Sequence, residues 1–180
     1  MTDATEASVP GTTPATGAPQ RTAAGQGEAY WFFDSLMVIR SGQPGRPVII
    51  EATVPPGGGA PLHQHAELDD CFYLVSGQLA MRCGAETFAV RPGDYVGLPH
   101  GVPHTFRVTG DQPAVMLQVH ADDSFLRFIQ AVGHPASSRP GPPEVDLNVA
   151  FAVAAQTGQP VIGPPMTEAE AQAITAGAAG

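Results

Sequence analysis

Two histidines one residue apart, His63 and His65, sit in the run Pro61-Leu62-His63-Gln64-His65. On an extended segment side chains repeat with a period of two, so both imidazoles face the same side. Three acids follow (Glu67, Asp69 and Asp70), just before the apolar, β-prone run Cys71-Phe72-Tyr73-Leu74-Val75. Thirty-nine positions after His65 comes His104, closing a glycine- and proline-punctuated stretch that starts at Gly93. Three neutral imidazoles and one carboxylate suit a divalent transition-metal ion and leave coordination positions free. Whatever the fold, it has to bring positions 63, 65, 104 and one of the acids to a single point.

Taken in order, residues 1–27 are mostly Ala, Thr, Pro, Gly, Ser and Gln, with little to bury, and are expected to form a disordered tail. Four aromatics then arrive together at Tyr30-Trp31-Phe32-Phe33, as an edge strand or as an arm over a pocket. Leu36–Arg40, Pro47–Val54, Tyr95–Leu98 and Pro113–His120 have strand patterns with Gly/Pro turns between them. Ser76-Gly77 is a turn signal, and a two-residue hairpin there sets Phe72 opposite Met81 and Asp70 opposite Cys83. In that register Asp70, Phe72, Leu74, Leu79, Met81 and Cys83 face inward, while Cys71, Tyr73 and Val75 face out. The two cysteines then lie on opposite faces and cannot bridge. From His104, period two adds Phe106 and Val108 to the inner face. About eight short strands without intervening helices define a double-sheet jelly roll over residues 28–122.

After Asp123 the period changes. Phe125, Phe128, Ile129 and Val132 repeat at helical spacing, with Ser124 as expected N-cap and Gly133 as stop. A helix over 144–156 and a capping box at Thr167-Glu168-Ala169-Glu170 complete a helical extension, residues 123–180, expected to pack on the outside of the barrel.

The stretch from Gly57 to His104 resembles the two sequence motifs of the cupin superfamily. The first, G-(X)5-H-X-H-(X)3,4-E-(X)6-G, falls on Gly57, His63, His65, Asp70 in the glutamate position, and Gly77. The second, G-(X)5-P-X-G-(X)2-H-(X)3-N, falls on Gly93, Pro99, Gly101 and His104, with Val108 in place of asparagine. The resemblance implies an all-β cupin double-stranded β-helix, and a metal held by His63, His65, Asp70 and His104. Glu67 and Asp69 compete for the acid position, but spacing to Gly77 and the inward phase with Phe72 and Leu74 choose Asp70, with direct ligation expected. The run Phe125 to Pro135 is similar to the helix after the barrel in bacterial quercetin 2,3-dioxygenase-like cupins. That likeness implies a second, catalytic role for Asp70, as base toward a substrate hydroxyl.

An apolar lining of Phe72, Leu74, Met81, Phe106 and Val108 suits a flat, largely uncharged molecule with one or two ligating oxygens. The expected function is therefore a metal-dependent dioxygenase acting on a flavonol-like, enolic or phenolic small molecule, with dioxygen as co-substrate. The alternatives are a non-oxidative metal-dependent cupin (isomerase, cyclase, decarboxylase or lyase of secondary metabolism) and a non-catalytic small-molecule-binding cupin. Fe, Ni, Mn, Cu, Co and Zn all accept such a site. Among the other histidines, His100 and His134 are expected at the surface. His120 is either a partly exposed strand end or a proton shuttle, and Cys83 either a fifth ligand or a buried packing residue.

A net charge of −9, from eight arginines and no lysine against seventeen acids, argues against nucleic acid or an anionic membrane as partner. The amino terminus has no basic patch followed by an apolar core, and the expected location is cytoplasmic. The outward stripe of Cys71, Tyr73 and Val75, with the aromatic arm, leads us to expect a homodimer.

Overall fold

The computed structural model describes residues 19–43, 46–138 and 140–178. Residues 1–18 of the expected tail lie outside that range. Among the described residues no helix is long and apolar enough to cross a membrane.

Two antiparallel sheets face one another. The larger is built from β1 (Glu28–Phe32), β2 (Ser35–Ser41), β3 (Val48–Val54), β5 (Asp70–Ser76), β8 (Tyr95–Leu98), β10 (Ala114–His120) and the two-residue β11 (His134–Pro135). Its strand order is β11-β1-β2-β3-β10-β5-β8. The smaller contains β4 (Gly59–His63), β6 (Leu79–Cys83), β7 (Glu86–Val90), β9 (His104–Val108) and β12 (Val161–Pro165), in the order β12-β4-β9-β6-β7. This is the jelly roll that the strand pattern implies.

Period two sets what faces inward. Val48, Ile50, Ala52 and Val54 on β3 are buried, and their partners on β10 are Ala114, Met116, Gln118 and His120. Leu74, Leu79, Met81 and Met116 are fully buried between the sheets. Each such side chain contributes roughly 1.5–3 kcal/mol by leaving water. Glycine matters where the sheets close: Gly59 lies opposite Arg107, and a Cβ there would collide with the Phe106 carbonyl oxygen. That close approach carries β4 onto β9 and brings His63 into register with His104.

The expected hairpin at Ser76-Gly77 does not form. β5 pairs with β8 and β10, whereas β6 pairs with β7 and β9, so the turn crosses from one sheet to the other. Gly77 has φ +83°, and a Cβ there would approach the Ala114 Cα to 2.6 Å, so this crossing needs glycine. The inward set survives because alternation, unlike pairing, belongs to each strand alone. Cys71 and Cys83 are both free, now because they stand in different sheets.

Among the described residues three α-helices follow or cover the barrel: α1 (Ser124–Val132), α2 (Leu147–Gln156) and α3 (Glu168–Gly177). The N-cap of α1 is Asp123 rather than Ser124, and α2 begins three residues later than expected, behind Asp146, whose carboxylate accepts from Asn148 and Val149. The Thr167 capping box is present at the start of α3. Helix α3 packs on the outside of β6 and β7, with Arg82 paired to Glu170 at 3.4 Å. Helices α1 and α2 instead sit over the barrel mouth. Residues 20–26, expected to be unstructured, are tied to Arg40: Thr22 Oγ1 donates to its carbonyl (2.7 Å), and its guanidinium donates to the carbonyls of Ala23 (3.1 Å) and Gln26 (2.6 Å).

Candidate metal centre

His63 ends β4, His104 starts β9, and His65 lies two residues past His63. Their ring centroids are 4.3 Å (63–104), 5.4 Å (63–65) and 5.3 Å (65–104) apart. One ring nitrogen from each falls within 4.8 Å of the others, close enough for one ion to touch all three. The tautomers are set by the backbone. Nδ1 of His63 lies 2.8 Å from the Pro61 carbonyl, and Nδ1 of His104 lies 2.9 Å from that of Val102. A carbonyl only accepts, so each Nδ1 carries the proton and each Nε2 keeps its lone pair. Nε2 of His65 and of His104 is buried without a hydrogen-bond partner. Burial holds the rings neutral, bringing His63 down to about 4 and His65 to about 3, with the neighbouring imidazoles adding to the effect. Neutral, preoriented nitrogens with no other partner are what a bound divalent ion requires.

Asp70 is buried at the start of β5, across the barrel. Its Oδ2 is 3.8 Å from His65 Nε2 and its Oδ1 is 3.6 Å from His120 Nδ1. It is not among the three residues whose ligand atoms all lie within 4.8 Å of one another. The side chain is one methylene shorter than the glutamate of the motif and starts from the opposite sheet. Burial pushes its carboxyl up to about 7, partly offset by the Cys71 amide. Asp69 points away, accepting from the backbone and ring of His100 at 2.9 and 2.7 Å on the surface. Cys83 pairs in register with His104 but packs into the core, and burial raises its thiol.

The histidines open onto a cavity of about 790 Å³. Of the expected lining, Phe72 and Phe106 are on its wall. Leu74, Met81 and Val108 are not: they are fully buried and fill the barrel behind it. Their place is taken by Phe32 from the end of β1 and Phe33 from the turn after it, Phe125 and Phe128 from α1, and Leu147 and Phe151 from α2. The aromatic arm is therefore a strand of the larger sheet in its backbone, paired with β2 on one side and the short β11 on the other, and at Phe32 and Phe33 a pocket wall in its side chains. Phe33 itself has φ +53°, uncommon for a bulky residue and found where the turn is forced by its surroundings.

Sequence reasoning left Gln118 out of the site. Gln118 and His120 line the cavity at 8% and 5% exposure, so His120 is not the partly exposed strand end that was one of its two readings. The signal was available: both continue the buried phase of Ala114 and Met116. Phe125 of α1 packs on the His120 ring at 4.9 Å and closes what would otherwise be an open strand end.

Residues 50–120 match the Cupin_2 model of the cupin domain family, a stretch that contains all three histidines, and the two-sheet barrel agrees with that match. Over 143 residues, 76% of it, the chain is 24% identical to quercetin 2,3-dioxygenase of Bacillus subtilis, and over 78 residues 32% identical to the oxalate decarboxylase OxdC of the same organism. It spans 42% of the first relative and 20% of the second. Among solved structures, the polyketide cyclase RemF from Streptomyces resistomycificus superposes with a TM-score of 0.51 at 24% identity, covering 57% of this chain and 79% of that one. These relatives share the fold and differ in reaction.

Proposed function

We propose that this cupin is a metal-dependent enzyme acting on a flat enolic or phenolic small molecule, and that its reaction is a dioxygenation. The observation that carries the reading is the placement of three neutral histidine nitrogens, two of them buried without a partner, on the wall of a large cavity lined with aromatic rings. His63, His65 and His104 would hold the ion, which supplies Lewis-acid polarisation of a substrate oxygen and, for a redox metal, electron transfer. Asp70, raised to about 7 by burial, accepts the proton of a substrate hydroxyl near neutral pH. The phenylalanines hold the ring system and keep water from the reacting edge. Oxygen chemistry is suggested by the likeness to a quercetin 2,3-dioxygenase.

A second reading, a non-oxidative cyclase, isomerase, decarboxylase or lyase, is favoured by one observation. Asp70 stands beside His120, an acid–base pair that needs no oxidant. An oxygen electrode decides between them, with metal-analysed protein and a panel of flavonols and simpler phenols. Oxygen consumption matched to substrate loss supports the dioxygenase. Substrate conversion without oxygen consumption supports the second reading, and no conversion across the panel contradicts both.

A further inference from the structure

We infer that the segment after helix α2, residues 158–161, is a positioning strap for the metal centre: it holds the backbone that carries His65, and its grip sets how tightly the three histidines bind an ion. The inference rests on the metal-centre reading above and goes beyond it, because the strap lies outside residues 50–120, the stretch that matches the cupin model.

His65 needs support from elsewhere in the chain. His63 and His104 belong to strands, and the Pro61 and Val102 carbonyls fix their rings through Nδ1. His65 lies past the end of β4, and among the described residues its ring has no carbonyl anchor of this kind, its Nε2 being unpaired and 3.8 Å from Asp70. Its ring therefore stands where its backbone puts it.

That backbone is stitched on two sides. The Gln64 amide donates to the Pro160 carbonyl at 3.4 Å and the Ala66 amide to the Gly158 carbonyl at 2.9 Å, one bond on each side of His65. The His65 carbonyl accepts from the Gly101 amide at 2.7 Å, in the loop that leads to His104. The strap ends at Val161, in register with His63 on β4. The stretch carrying two of the three histidines is thus fastened along its length to residues 158–161. Metal–ligand distances tolerate only about 0.2 Å, so the attachment of this stretch bears directly on the site.

The strap is itself fixed at its origin. Gly158 has φ +82°, the left-handed conformation that closes helix α2, where its amide donates to the Ala155 carbonyl at 3.3 Å and the Gln159 amide to that of Ala154 at 2.8 Å. Ala150 and Ala154 of α2 are fully buried, and Gln159 is 3% exposed. A Cβ on Gly158 would come no nearer than 4.0 Å to the Ala66 Cβ. A substitution there strains the strap's backbone without colliding with the histidine stretch.

The test uses the full chain, stripped of metal by chelation and titrated with Co2+ in competition with a chelator. Gly158→Val should weaken Co2+ binding about tenfold, the low end of what outer supports of a metal ligand contribute, and should alter the visible absorption bands that report coordination geometry. Gly110→Val is the matched control. Gly110 has φ +81°, follows β9 on the way to β10 and has nothing within 4 Å, so it takes the same strain away from the strap. It should lower the melting temperature comparably and leave Co2+ affinity and spectrum as in the wild type. Equal losses of affinity in the two variants, or no loss in Gly158→Val, overturn the inference. Hydrogen exchange in the wild type decides even if Gly158→Val fails to fold. Coupling of affinities is reciprocal, so an ion held by the strap tightens the strap in turn. Zn2+ should slow exchange of the Gln64, Ala66 and Gln159 amides about tenfold more than that of helix α3, the mirror of the expected affinity change. Protection of Gln64 and Ala66 without Gln159 overturns the inference. A wild type that binds neither ion contradicts the metal centre and the strap with it, whereas metal bound without this coupling removes the strap alone.

Discussion

Asp70 sits between two histidines, at 3.8 Å from His65 and 3.6 Å from His120, and reaches neither at hydrogen-bond distance. Because it lies outside the three-histidine group, its removal should affect turnover more than metal retention. Asp70→Ala is expected to keep its metal and lose about two to four orders of magnitude in turnover, the range for a lost general base. Single-turnover kinetics checks this, and undiminished turnover would contradict it. The same residues set the pH dependence of the metal-free protein. His63, His65 and His120 titrate below the usual 6.5 in the fold, so the unfolded chain takes up protons first as pH falls. Their stability contribution, full above 6.5, is lost progressively as pH falls toward about 4. Asp70 acts oppositely: raised to about 7, it favours the fold most below its ordinary 3.8 and loses that effect as pH rises to 7. Three groups outweigh one, so the melting temperature of chelated protein should fall between pH 6.5 and 4. A rise across that window would contradict the buried, neutral state of the histidines. His63 and His65 were legible because an H-X-H pair on a strand has few other uses. The depth of His120 was legible only in part: its phase along β10 points inward, but whether a strand end is covered depends on Phe125 of α1, which packs on its ring.

At the scale of elements, alternation along a strand was readable and partnership between strands was not. Phe72 and Leu74 face inward from period two alone, but Ser76-Gly77 looks the same whether the chain doubles back or crosses to another sheet. Strand β12 was missed because Val161-Ile162-Gly163-Pro164-Pro165 carries two prolines, which an edge strand tolerates and a sequence pattern discounts. The segment joining 20–26 to Arg40 was hidden for a related reason: its bonds use backbone carbonyls, which every sequence has. Arg40 is also paired with Glu51 at 2.8 Å, so it fastens this segment to β3. Deleting residues 2–26 should therefore lower the melting temperature by about 2–8 °C, the equivalent of roughly 1–2 kcal/mol of partly exposed hydrogen bonding. Thermal unfolding of that truncation with no shift would mean the bonds around Arg40 contribute nothing.

The whole molecule presents one face that water covers poorly. Tyr73 and Val75 on β5, Tyr95 on β8 and Val119 on β10 stand on neighbouring strands of the larger sheet, exposed by 47%, 53%, 70% and 37%. We propose that this face is shared between two copies of the chain, and sedimentation should then return twice the mass of one chain. Tyr73→Glu combined with Tyr95→Glu should shift it to the monomer, while a monomeric wild type would remove the idea. The jelly roll as a whole was legible because short strands, turn glycines and paired histidine motifs agree with one another. What fills the cavity mouth was not, because Phe33, Phe125 and Phe151 come from three parts of the chain that only the closed barrel brings together. The claim on which everything else stands is that His63, His65 and His104 hold an ion. Metal analysis of protein purified without added metal, beside His63→Ala and His104→Ala, tests it most directly. The account predicts about one divalent transition-metal ion per chain in the wild type and a near-complete loss in both variants. A wild type that binds no such metal even on reconstitution, or variants that retain the full complement, would contradict it.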